Sequence, residues 1–272
     1  MTNPSISLGS DSLHYREVGP VGVLMLNRPS RRNALDSPLR LALREQFLAL
    51  AERPPAVLVL TGSGEHFCAG GDIDDMRAAD FSAETSRRRL IEEYHPIVRG
   101  LAELPCPVVA AIDGCCYGAG FGLALACDYL LCSDRARFCL SFLRLGVIPD
   151  CGALYTLPRL VGSLRAKALM LTTRELDAAE ALALGICAET TKPETLQGRA
   201  MEFASQLAHA SPIALRGIKM GVQTAATQSL DDLLSFEAAA QAECRATKYH
   251  QEALRDFLEK RPMAYAGTHH ED

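Results

Sequence analysis

Two stretches of this chain place nearly bare backbone amides where strands end: His66-Phe67-Cys68-Ala69-Gly70-Gly71-Asp72-Ile73 and Tyr117-Gly118-Ala119-Gly120. The first follows the apolar run 56–61, the second follows an apolar run that breaks at Asp113-Gly114, and each leads into a predicted helix. A helix start leaves N–H groups unpaired and carries roughly half a positive charge. With little but glycine and alanine around them, such amides can be approached closely by a ligand oxygen. The plainer reading is that the glycines only let a helix pack tightly on a sheet. Two such loops, about fifty residues apart, tip the balance, because each can aim one amide at a single carbonyl oxygen. Fixed donors of this kind meet negative charge as it develops, and the loss of one costs about 2.7–4 kcal/mol where measured. The pair therefore reads as a site for enolate or tetrahedral oxyanion chemistry.

A carboxylate stands further on, Asp150 in Gly146-Val147-Ile148-Pro149-Asp150-Cys151-Gly152, ahead of a helix expected over residues 153–161. Taken alone, an aspartate there is a helix cap. Other chemistries are excluded by spacing. Gly118, Gly120 and Gly122 are too close together for a dinucleotide turn, and no Walker A sequence or GxSxG elbow occurs. The seven histidines have no ligand spacing, so no metal is expected.

The elements that must hold these groups follow from periodicity. Two strands are expected between Ser5 and Asn27 around Gly19-Pro20, then a loop Arg28-Pro29-Ser30-Arg31-Arg32 and a helix capped by Asp36 or Ser37 with Pro38 in its first turn. Strand, helix, strand and loop recur to about residue 140, implying βαβ units. One long helix between Ser82 and Leu104 carries Tyr94 and His95, which read first as packing residues. After Pro158 the pattern turns helical, over 163–172, 178–184, 195–209, 213–224, 229–248 and 251–259.

Bulk properties set the limits. A chain of 272 residues, 48% hydrophobic and 22% charged, is an ordinary globular protein. A net charge of −5 gives no basic footprint, so neither nucleic acid nor an anionic membrane is an expected partner. No leader and no apolar run near twenty residues is evident. The ten cysteines form no CxxC pair and sit in apolar contexts, as small buried hydrophobes of a reducing compartment do, which makes the cytoplasm the expected location.

The segments HFCAGGDI, AAIDGCCYGAGFGLALACDYLLCSDRARF and LGVIPDCGALYTLPRLVG resemble the crotonase superfamily of enoyl-CoA hydratases and isomerases, and the similarity extends from Leu24 to Pro262. The resemblance implies an α/β fold, a crotonase-like spiral of repeated ββα units over residues 1–200, with a C-terminal helical region, 201–272, for oligomerisation and pocket closure. It implies an acyl-CoA thioester as substrate, coenzyme A being part of that substrate rather than a separate cofactor, and a homotrimer or a dimer of trimers. By the same resemblance the backbone amides of Ala69 and Ala119 hold the thioester oxygen. Substrate contacts are expected from Arg31, Arg32, Ala34, Cys68, Gly70, Gly71, Asp72, Ile73, Gly118 and Phe142, and from Lys260 reaching across subunits.

The chain departs from the hydratase pattern at the acid–base positions. The two glutamates of hydratases fall at Gly122 and Phe142, and neither residue transfers a proton. Asp150 sits where dienoyl-CoA isomerases and the ring-epoxide isomerases of phenylacetyl-CoA breakdown have their acid–base aspartate, and where chlorobenzoyl-CoA dehalogenases have a nucleophile. Apolar surroundings, Phe142 included, should raise its pKa toward neutrality. The expected reaction is a 3-enoyl to 2-enoyl shift in which one carboxylate removes and returns the proton. The alternatives are a hydratase in which Asp72 or Glu93 enters the pocket, aspartate-nucleophile chemistry, a ring-epoxide isomerase, and a silent CoA-ester-binding paralogue.

Overall fold

A computed structural model describes residues 11–77 and 82–267; the expected strand residues before Asp11 and the chain end His269–Asp272 lie outside the described residues. β1 (Leu13–Val18) and β2 (Val21–Leu26) form an antiparallel hairpin about Gly19-Pro20. α1 (Ser37–Glu52) begins under Asp36, whose carboxylate accepts from the Leu39 amide at 3.0 Å. β3 (Val57–Gly62) and the short α2 (Ile73–Arg77) flank the first glycine loop. α3 (Ala83–Arg89), a π turn (Leu90–Tyr94) and α4 (His95–Glu103) then run on without a break. The long helix expected there is thus present with a widened turn in its middle. Pro96 explains the turn, since it has no N–H to donate back and its ring crowds the carbonyl of Glu92.

β4 (Val108–Ile112), β5 (Cys115–Tyr117), α5 (Ala119–Leu125), β6 (Tyr129–Ser133) and β7 (Arg137–Cys139) follow. A 3₁₀ turn (Ser141–Leu145) precedes α6 (Ala153–Val161) and α7 (Ser163–Thr172). β8 (Leu176–Asp177), α8 (Ala178–Ala183), β9 (Glu189–Thr191) and α9 (Pro193–Leu207) return the chain to the sheet, and α10 (Pro212–Ala225), α11 (Leu230–Arg245) and α12 (Lys248–Leu258) end it.

The main sheet has the order β1-β2-β3-β4-β6-β9, parallel from β2 onward; β5, β7 and β8 make a second, smaller sheet. A parallel strand buried on both faces reads as a continuous apolar run, and Val57-Leu58-Val59-Leu60 and Val108-Val109-Ala110-Ala111 are such runs. Their alternate residues feed two cores. Val57, Val59, Val109 and Ala111 pack under Leu196, Ala200, Phe203 and Ala204 of α9. Leu58, Leu60, Val108 and Ala110 join α1, α4 and α5 in the larger core beneath the site. Residue 200, the expected boundary of the C-terminal helical region, lies within α9. All ten cysteines are free thiols, eight of them buried. No helix among the described residues is long and apolar enough to cross a membrane.

α10 is fastened to the core by two polar side chains, Gln223, which donates to the Ala102 carbonyl at 2.8 Å, and Lys219. Lys219, 6% exposed, donates to the carbonyls of Leu101 and Cys106 at 2.9 and 3.1 Å and pairs with Asp128 at 2.8 Å. Beside it lies a cavity of about 1090 Å³ lined by Val98, Gly152, Tyr155, Leu215 and Val222, so close packing does little of the fastening. Lys219→Ala strands the Asp128 carboxylate, already pushed up by burial, and should cost about 3 kcal/mol in urea unfolding. The double change Lys219→Met, Asp128→Asn should recover most of that loss; if it does not, the charge pair is not what fastens α10.

Candidate active site

The two glycine loops are laced together by backbone hydrogen bonds. Cys68 donates to Cys115 and Tyr117 donates to Cys68, at 3.0 and 2.9 Å, so residues 66–68 lie beside 113–117 as a short parallel ladder. The His66 ring accepts from the Cys115 amide at 3.2 Å. Gly70 and Gly118 then touch. A Cβ on Gly70 would lie 2.8 Å from the Tyr117 carbonyl and 3.3 Å from the Ala119 amide. Gly118 turns the chain into α5 with φ +51° and ψ −123°, a conformation that favours glycine.

Which amides remain available is a matter of parity. The Ala69 amide donates to the Arg32 carbonyl at 2.9 Å, so Ala69 is not an oxyanion donor, contrary to the sequence expectation. Leu35 donates to the Gly70 carbonyl at 2.7 Å and accepts from the Asp72 amide at 3.2 Å. Successive amides in extended backbone face opposite edges, so the Gly71 amide between these bonds faces away from Leu35. Among the described residues neither the Gly71 nor the Ala119 amide donates to any carbonyl. The donor pair the fold supplies is Gly71 with Ala119.

Asp150 lies on the adjoining loop. It does not cap α6, where Gly152 holds the cap position without any side-chain hydrogen bond. Its Oδ1 is buried with no hydrogen-bond partner among the described residues. Burial pushes its carboxyl above the ordinary carboxylate range, opposed by a hydrogen bond from the Cys151 thiol and by the charge of His95. Phe142, 9% exposed, sits with its ring tip 3.9 Å from where a Gly118 Cβ would be. Gly122 is not a vacant glutamate position, because its missing Cβ makes room for the Cys151 Cβ at 2.6 Å and the Asp150 carbonyl at 3.3 Å.

The other expected contacts divide. Asp72 is a strut rather than a pocket base: Arg28 pairs with it at 2.8 Å and the Asp74 amide donates to it at 2.9 Å. Burial works against its charged form, yet these partners hold its carboxyl below the usual range. Glu93 is engaged by Arg40 at 2.7 Å. Cys68 is fully buried against Gly120, its thiol pushed up to about 12 by burial, and it supports the loop from behind. The Ala34 carbonyl is taken by Arg28. Arg31 is exposed and pairs with Asp74 at 2.7 Å, whereas Arg32 opens onto a cavity of about 260 Å³ shared with His66, Arg135 and Arg137. Ile73 is 65% exposed at the start of α2. Lys260 sits in an exposed turn after α12, its amide donating to the Phe257 carbonyl.

Arg40 had no place in the sequence reading. It is fully buried and makes four hydrogen bonds: Nε donates to Glu93, Nη2 to Asp75 at 2.9 Å, and Nη1 to the Leu35 carbonyl at 2.6 Å and the Tyr94 hydroxyl at 3.3 Å, with Nη2 also 2.7 Å from the Glu93 carboxylate as an ion pair. The one signal in the sequence is its position in the stripe Arg40, Leu43, Phe47, Leu50, all buried.

Known proteins share this fold. The chain is 36% identical over 250 residues to the 1,2-epoxyphenylacetyl-CoA isomerase of Escherichia coli (strain K12), covering 91% of this chain and 95% of that one. It is 33% identical to a short-chain-enoyl-CoA hydratase of Clostridium acetobutylicum, covering 90% and 94%. A crystal structure of an enoyl-CoA hydratase/isomerase from Cupriavidus metallidurans CH34 superposes with a TM-score of 0.91 at 38% identity, covering 96% of this chain and 98% of that one. The Enoyl-CoA hydratase/isomerase family profile matches residues 17–268. With its glycine loops, its doubled sheet and its helical C-terminal region, the chain belongs to the enoyl-CoA hydratase/isomerase family of the crotonase superfamily.

Proposed function

We propose that the protein is an enoyl-CoA isomerase that moves a double bond of an acyl-CoA thioester from the 3- to the 2-position. The observation that carries this reading is a carboxylate, Asp150, with one oxygen buried and unpartnered among the described residues, on the loop adjoining two free amides, while Asp72 and Glu93 are tied up in ion pairs. The Gly71 and Ala119 amides would hold the thioester oxygen and stabilise the enolate as it forms. Asp150 takes a proton from one carbon and returns it to another, which needs one carboxylate where hydration needs two. Coenzyme A enters as part of the substrate, and no separate cofactor takes part.

Relatives named as isomerase and as hydratase both match, so the test is a substrate panel in labelled water. 3-Enoyl-CoA should be converted without oxygen-18 uptake, and 2-enoyl-CoA should not be hydrated; oxygen uptake at comparable rate would overturn the proposal. A ring-epoxide thioester belongs in the panel as the second reading, because the 36% identical relative is a 1,2-epoxyphenylacetyl-CoA isomerase.

We also propose assembly as a homotrimer or a dimer of trimers. Leu164 and Leu171 on α7 and Val222, Phe257 and Leu258 on α10 and α12 are 68–80% exposed in the single chain, which is apolar area a partner copy would cover. Sedimentation equilibrium decides this, a monomer being the contrary result.

A further inference from the structure

We infer that the Tyr94 hydroxyl is a third donor to the thioester oxygen, held in place by Arg40, which acts as a positioning residue. The inference rests on the enolate reading of the site and goes beyond the two amides. Tyr94 is 7% exposed and lies at the end of the π turn forced by Pro96; such widened turns are frequent at functional sites. Its oxygen stands 3.2 Å from where a Cβ of Gly71 would be, alongside the residue whose amide is free. It is also close enough to Asp150 to feel that carboxylate's charge.

Arg40 fixes the direction of the hydroxyl. A guanidinium has no acceptor, so in the contact between Arg40 Nη1 and the Tyr94 oxygen, 3.3 Å, the tyrosine must accept. The guanidinium carbon also lies 4.7 Å from the ring centroid, which holds the ring from its face. The phenolic hydrogen therefore turns away from Arg40, and among the described residues no hydrogen bond consumes it. Burial raises the phenol further above its ordinary range, against the pull of Arg40, and so keeps it protonated and a donor throughout the working pH range. A buried hydroxyl that accepts from a cation has its own proton polarised. As the substrate becomes an enolate, that proton is presented to the growing charge without any motion of the protein.

The same contacts admit a duller role, in which Tyr94 only props Gly71 together with Met76, whose Cε would lie 2.4 Å from a Gly71 Cβ. The carbonyl stretch of a bound thioester separates the two. Hexanoyl-CoA labelled with carbon-13 at the carbonyl is bound to the full-length wild type and to Tyr94→Phe, and isotope-edited infrared spectra are compared with those of the free thioester. The wild type should move the stretch to lower frequency, and Tyr94→Phe should cancel a large part of that movement and lower kcat about 10²-fold with little change in KM. Site-specific 3-fluorotyrosine at 94, a stronger donor of nearly the same shape, should move the stretch further than the wild type. Equal stretches in wild type and both variants would overturn the inference, even if Tyr94→Phe lowered the melting temperature. Absence of any shift in the wild type would instead bring down the oxyanion reading itself.

Discussion

Asp150→Asn should lower kcat by about 10³-fold, leave acyl-CoA binding within a few-fold of wild type, and make the protein more stable at neutral pH. The three expectations come from one environment. Oδ1 of Asp150 is buried without a donor among the described residues, and burial raises the carboxyl above its ordinary value. A group that is hard to ionise is a poor carboxylate for holding a fold together but a well-matched base for abstracting a carbon-bound proton near neutral pH. The sign of the linkage follows. With the folded pKa raised, the group's contribution to stability is fully present below the unfolded value, near 3.9, and is lost as pH rises through the folded value. Asparagine escapes that loss. Its advantage in melting temperature, a few degrees for about 1 kcal/mol in a chain of this size, should be largest above the folded pKa and should vanish as the pH approaches about 4. The acid limb of the wild-type kcat/KM profile should report the same raised group. Scanning fluorimetry and kinetics on one pH series suffice. An Asn variant that is fully active, or one that is less stable at every pH, would show that Asp150 is an ordinary structural carboxylate.

The sequence carried the fold further than it carried the site, and particular residues show why. A helix with a capping aspartate and a regular apolar stripe is legible, as are strands buried on both faces; α1 and the Val57–Gly62 strand lie where the pattern puts them. Small residues marked both glycine loops. Composition could not say which amide in the first loop is free, because that depends on what each carbonyl across the gap accepts. Arg32 takes the Ala69 amide, and the two bonds of Leu35 set the parity that leaves Gly71 open. Arg40 and Lys219 were invisible for a related reason. A buried cation looks like any surface arginine or lysine until the carbonyls and carboxylates that surround it are brought in from elsewhere, here from residues 35, 75, 93 and 94 for Arg40 and from 101, 106 and 128 for Lys219. Gly122 was legible only as a missing glutamate.

What occupies that space leads to the second large effect. Restoring the hydratase residue by Gly122→Glu should not create a hydratase; it should abolish the isomerisation proposed above. The Cβ alone would stand 2.6 Å from the Cys151 Cβ and 3.0 Å from its carbonyl oxygen, distances at which backbone must move. The backbone in the way is that of Asp150 and Cys151, with Cys151 at φ +50° and Gly152 at φ +77°. A loop already turned through two left-handed residues has little freedom to retreat without carrying Asp150 with it. Even Gly122→Ala should therefore lower kcat by about 10²-fold, the usual consequence of misplacing a catalytic group by about 1 Å, while acyl-CoA binding and the cooperative melt survive. Because the tightest approach is between two Cβ atoms, Cys151→Gly offers relief: it removes that atom, leaves only the 3.0 Å approach to the carbonyl oxygen, and suits the positive φ. Measured against Cys151→Gly alone, adding Gly122→Ala should cost far less than it does in the wild type. A double variant as slow as the product of the two single effects would place the cause elsewhere than in this contact, and a Gly122→Glu protein that hydrated 2-enoyl-CoA would show that the loop yields and that this fold keeps room for the second carboxylate.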